Sequence, residues 1–86
     1  MKIEKNSLLK LTDNNTYLVL EKLVISGKKY LYLIDKDNRN NLKFYEETDD
    51  NRLLVVENEK ELQQIIPEFF KVMSANIIKK KEDNNQ

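Results

Sequence analysis

The 86 residues contain no cysteine, no histidine, one glycine and one proline. Without cysteine neither a disulfide framework nor a thiolate metal site can form, and a secreted domain this small usually needs such staples. The composition therefore points to the cytoplasm. Without histidine, cysteine or a glycine-rich phosphate loop, the helper groups of most active sites are missing. The sequence accordingly reads as a non-enzyme, with no catalytic residue, no cofactor-binding residue and no metal ligand.

Net charge is absent as well. Fifteen Lys and Arg balance fifteen Asp and Glu, so no overall field draws in a polyanion or a polycation. Arg39 and Arg52 are the only arginines, whereas phosphate and base-edge recognition lean on the planar guanidinium fork; nucleic-acid binding is disfavoured. No apolar run approaches the ~20 residues of a membrane span. The lysines of Met1-Lys2-Ile3-Glu4-Lys5-Asn6 are not followed by the apolar stretch of an export signal. The expectation is a protein neither exported nor inserted.

What is present suffices for one hydrophobic core. Hydrophobic residues make up 40% and charged residues 35% of the chain, and a domain of this size buries roughly 60 to 65% of its unfolded surface. Ser7 to Leu11 is a short apolar run ended by Thr12-Asp13-Asn14-Asn15, whose side chains favour turns. Thr16 to Ser26 is rich in β-branched and aromatic residues and predicts a long strand. Its alternation is impure: Tyr17, Val19, Leu23 and Ile25 share one parity around Glu21, and Leu18, Leu20 and Val24 share the other around Lys22. Either both faces of this strand are covered or a bulge at Glu21-Lys22 swaps the faces mid-strand, and a bulge or bend is the preferred reading.

Gly27-Lys28 then suits a type II′ hairpin turn, which needs glycine first. Lys29 to Asp35 forms the next strand, apolar on both faces, with Tyr30, Tyr32 and Ile34 opposite Leu31 and Leu33. Lys36 to Asn41 reads as a polar loop, Leu42 to Thr48 as a fourth strand, and Leu53 to Val56 as a short fifth.

From Asn58 the apolar period becomes helical, through Leu62, Ile65, Ile66, Phe69, Met73 and Ile77. Asn58 suits the N-cap and Glu61 stands where a capping box places its acid. Pro67 predicts a kink or a break. The fold class is therefore α+β, an antiparallel β-meander of about five strands with a C-terminal amphipathic helix on one face. Residues 1–78 form a single domain and 79–86 a polar, disordered tail.

Three patterns resemble chemistry. Asp35, Asp37 and Glu46 copy positions 1, 3 and 12 of an EF-hand loop, but Arg39 and Asn40 stand where an oxygen ligand and a glycine belong, so a solvated hairpin loop is the better reading. Glu46, Glu47, Asp49 and Asp50 form an acidic cluster whose carboxylates, adjacent along a strand and turn, need not converge; a charged edge that discourages aggregation is the simpler role. Tyr30 and Tyr32 near Lys28-Lys29 could stack bases, although paired tyrosines on a sheet more often pack in the core. The helix stripe with Phe69, Phe70 and Met73 is likewise assigned to the core.

An excess carries more information. Strands two and three are apolar on both parities, and one helix can cover only one sheet face. The surplus on Leu18, Leu20, Leu31 and Leu33 is expected to form a surface for a homodimer or another protein partner.

In order of elements the chain from about Tyr17 to Met73 resembles the YrzB-like family of small bacterial proteins of unknown function. The resemblance rests on Gly27 followed by Tyr30-Leu31-Tyr32-Leu33, on Leu42-Lys43-Phe44-Tyr45, and on Leu53 to Val56 leading through Asn58-Glu59-Lys60-Glu61-Leu62 into the helix. Members of that family look strongly acidic, and often carry an aromatic residue where this chain has Leu62. The resemblance implies a fold and no site residues. Two functional expectations follow: a small cytoplasmic protein-interaction module, or, given the heavy use of Lys, Asn and Ile that suits AT-rich genomes and many phage genes, a phage or mobile-element protein that inhibits a host nuclease or polymerase.

Overall fold

A computed structural model describes residues 3–84. Five strands, β1 (Leu8–Lys10), β2 (Thr16–Ile25), β3 (Lys28–Asp35), β4 (Asn38–Glu47) and β5 (Leu53–Val55), precede one helix, α1 (Glu59–Asn84). The strands form one sheet in the order β1-β2-β3-β4-β5, every neighbouring pair antiparallel. The expected α+β meander with a C-terminal helix is the observed fold.

The impure alternation of β2 has its cause in a bulge at Leu20, where the register steps from Val19 opposite Leu33 to Glu21 opposite Tyr32. One extra residue moves each later side chain to the other face. Tyr17 and Val19 thus share a face with Leu31 and Leu33, while Leu20, Leu23 and Ile25 join Tyr30 and Tyr32 on the opposite one. The bulge lies one residue before the expected place.

With a single glycine, the chain uses asparagine for left-handed backbone: Asn6, Asn14 and Asn51 have φ of 70°, 66° and 64°. Asparagine tolerates this region because its short amide can bond locally. The β2–β3 loop is Ser26-Gly27, closed by Ile25 opposite Lys28. Both loop residues have positive φ, 52° and 80°, which makes the turn type I′, not II′, with its glycine second. β4 begins at Asn38, inside the segment expected to be loop, and takes up its extra residues in a register shift beside Ile34 and Asp35.

Both sheet faces are covered, by different means. On one, Tyr32, Phe44 and Phe69 interlock, Tyr32 stacking on Phe44 with centroids 4.6 Å apart and Phe69 tilted against both. Leu62, Ile65, Phe69 and Met73 bring α1 onto this face. On the other, the curled sheet closes on itself, and Ile3, Leu9, Leu11, Tyr45 and Leu53 surround Tyr17, Val19, Leu31 and Leu33.

Asn58 caps α1, its Oδ1 accepting the Glu61 N–H at 3.1 Å. The helix is continuous through Pro67 and on to Asn84, so it is not split there, and residues 79–84 belong to the helix where a tail was expected. Pro67 and Gln63 are both exposed. The bond that proline removes, to the Gln63 carbonyl, therefore lies on the solvent side, where water can replace it. Residues 85 and 86 of the expected tail lie outside the described residues.

Candidate functional site

The four leucines expected to form an uncovered patch do not share one. Leu31 and Leu33 are 0% exposed, enclosed by the N-terminal segment and the curl of the sheet. Leu20, at the bulge, packs towards the helix, and Leu18 is half-buried between Leu8 and Ile34. The expectation treated the helix as the only available cover and overlooked a sheet bent enough to cover itself.

The chemistry-like patterns are also taken apart by the fold. Asp35 is buried, its Oδ1 accepting the Asp37 N–H at 2.9 Å and its Oδ2 accepting Asn41 Nδ2 at 3.1 Å. Among the acidic cluster, Glu47 turns inward to Lys22, Asp50 pairs with Arg52 at 2.7 Å, and Glu46 lies opposite Leu54 in the sheet. Among the described residues no three His, Cys, Asp or Glu are grouped to hold a metal ion. Tyr30 and Tyr32 are buried beneath the helix.

Two charge relays tie the N-terminal segment to the sheet. Lys22 Nζ lies 3.2 Å from Glu47 Oε1 and donates to the Ile3 carbonyl at 2.9 Å. Lys5 Nζ lies 2.9 Å from Glu21 Oε2. Each carboxylate oxygen faces its ammonium without hydrogen-bond alignment. At the other end of the sheet the Tyr17 hydroxyl donates to Asp13 Oδ2 at 2.7 Å and accepts from Asn41 Nδ2 at 3.1 Å. The Tyr17 bond holds the Asp13 carboxyl below the usual carboxylate range, with the Asn15 N–H and Lys43 contributing. The Asp13, Tyr17 and Asn41 groups satisfy one another by hydrogen bonds, whereas Glu21 and Glu47 are held by their lysines through charge alone.

The free surface lies instead where the helix meets the β4–β5 edge. Leu42, Phe44, Val55, Val56, Leu62 and Ile66 border a groove of about 400 Å³ that Lys43 and Glu57 complete. A second hollow, of about 570 Å³, adjoins it through Leu62 and Ile66 and is rimmed by Glu59, Gln63 and Pro67. Leu42 and Val55 are each 45% exposed, and Phe70 and Ile77 further along the helix are 54% and 58% exposed. Phe70, assigned to the core from the sequence, is outside it. The signal was present in the spacing: Leu62, Ile65, Phe69 and Met73 form the line packed on the sheet, and Ile66, Phe70 and Ile77, with half-buried Met73 shared between the two, form a second line beside it at intervals of four, three and four.

No family model matches the chain, and neither the search of the curated proteins nor that of the solved structures returns a match. No helix among the described residues is long and apolar enough to cross a membrane.

Proposed function

We propose that this chain is a small cytoplasmic module that acts by protein contact, with no chemistry of its own, and that the groove between the β4–β5 edge and the first half of α1 is its contact surface. The observation that carries the reading is the run of apolar side chains from exposed Leu42 and Val55, across half-buried Ile66 in the groove, to exposed Phe70 one turn further along the helix. Half-exposed residues scattered singly need no explanation, whereas a contiguous apolar groove rimmed by charge is the form of a protein-docking site. Its chemistry suits an amphipathic helical segment, with apolar anchors at intervals of three and four residues and polar flanks beside Lys43, Glu57 and Glu59.

The resemblance to the YrzB-like proteins fits this reading at the level of fold and adds no site. The test is affinity capture from the native cell with the wild-type chain and with Ile66→Asp. The reading expects a near-stoichiometric protein retained by the wild type and lost with the variant. Equal capture by both, with the variant folded, would move the contact surface elsewhere.

A further inference from the structure

Two features of α1 are incomplete in one chain and complementary in two. Its first half lies on the sheet and borders the groove, whereas among the described side chains from Ser74 to Ile78 none enters either core cluster, and Ile77 and Ile78 are each 58% exposed. The helix thus overhangs its own sheet, within a molecule 44 Å long and 25 Å across its shortest axis. The second apolar line, Ile66-Phe70-Met73-Ile77, has intervals that read the same in either direction.

We infer that the groove is occupied by a second copy of this chain, the two α1 helices packing antiparallel about a two-fold axis between Lys71 and Val72. This rests on the groove being the contact surface. Such an axis sets Ile66 beside the partner's Ile77 and Phe70 beside the partner's Met73, the isologous arrangement that closes as a dimer. Each overhang then lies over the other chain's groove, with Ile77 entering near Ile66, Leu42 and Val55.

Charge agrees with this direction. An antiparallel pair sets each helix's partial positive N-terminus beside the partner's partial negative C-terminus and so opposes the two helix dipoles. A parallel pair would set like against like. The zero net charge leaves no overall repulsion between copies.

Half-exposed Leu42, Val55, Phe70 and Ile77, with the stems of flanking polar residues, supply on the order of 500 Å² per protomer and ~1,000 Å² in the pair, the lower bound of specific interfaces. The dimer should therefore be weak, dissociating at roughly 10 to 100 µM.

Analytical ultracentrifugation of the full chain from about 5 to 500 µM should show a reversible shift from monomer to dimer mass. Ile77→Asp, at an exposed position, should weaken association at least tenfold with unchanged circular dichroism. The chain has no cysteine, so the register can be read directly: Ile66→Cys chains mixed with Ile77→Cys chains should form the mixed disulfide at least tenfold faster than either forms its own. Monomer mass at 500 µM overturns the inference, as does cross-linking no faster than through a Val24→Cys control on the sheet. A persistently monomeric chain whose Ile66→Asp variant nonetheless loses a captured protein would reject the second copy and keep the groove.

Discussion

The phenol of Tyr30 donates a 2.5 Å hydrogen bond to Glu61 Oε2, joining β3 to the first turn of α1 across 31 residues of sequence. Glu61 also lends its N–H to the Asn58 cap, and Lys28 stands 3.8 Å from the same carboxylate oxygen. One acidic residue therefore fixes where the helix starts and where it touches the sheet. Tyr30→Phe keeps the buried ring and deletes only the bond. The expected cost is about 1 to 2 kcal/mol, read as a lower urea midpoint with an unchanged slope.

The same pair sets an alkaline limit. Burial, and then the Glu61 hydrogen bond, push the Tyr30 phenol from 10.0 up to about 12. The folded state therefore holds its proton where the unfolded state gives it up. The stabilisation is fully present below pH 10 and is lost as pH rises towards 12. Urea midpoints at pH 8, 10 and 11.5 should fall across this range for the wild type, and fall less steeply for Tyr30→Phe.

Lys22 and Glu47 test the interior of the other face. Glu47 is 6% exposed, while the Lys22 side chain keeps 27% exposure. Removing the lysine with Lys22→Met leaves a buried carboxylate unpaired and should cost about 2 to 3 kcal/mol, below the range for fully buried pairs because water still reaches the lysine. Adding Glu47→Gln should recover at least half of that loss, a non-additivity measurable in a double-mutant cycle.

The β2–β3 turn is not optimised. Ser26 has a φ of 52°, a region that asparagine or glycine occupies at less cost. Ser26→Asn should raise stability by about 0.5 kcal/mol. Gly27→Ala should lower it by about 1 kcal/mol through the backbone alone, since an added Cβ would meet nothing within 4 Å. Thermal denaturation of both variants checks the opposite signs.

Pro67 lies on the exposed side of a continuous helix. Pro67→Ala restores the bond to Gln63 and should stabilise the chain by about 1 to 3 kcal/mol. If Pro67 shapes the rim of the hollow it shares with Leu62 and Ile66, the gain in melting temperature should come with weaker capture or self-association.

The elements were legible in the sequence because each carries its own period. Alternating residues from Leu42, the shift to helical spacing at Leu62 and the Asn58 cap all appear in the structure where the residues place them. Asn38 to Asn41 were not legible as strand, since asparagine and arginine have little β-propensity and only pairing with β3 holds them extended. The doubled apolar faces of β2 and β3 were read as more than one helix could cover, whereas the curled sheet covers the second face itself. Whether Leu31 and Leu33 are open depends on the curvature of the whole sheet and on Ile3 reaching across it, a long-range outcome that no local period records. The groove was half legible: the second line on α1 is visible in the spacing, but its exposure follows from the helix being longer than the sheet beneath it.

Every strand pairs with its neighbours in sequence, and the helix that covers one face follows all five. During synthesis the hairpins can therefore form in turn, well before their oily side is roofed. At about 10 residues per second, a helix of 26 residues takes roughly 2 to 3 s to emerge. For that interval Tyr32 and Phe44 would stand in water on a nearly finished sheet, which makes the nascent chain, more than the mature one, the form that chaperones should recognise.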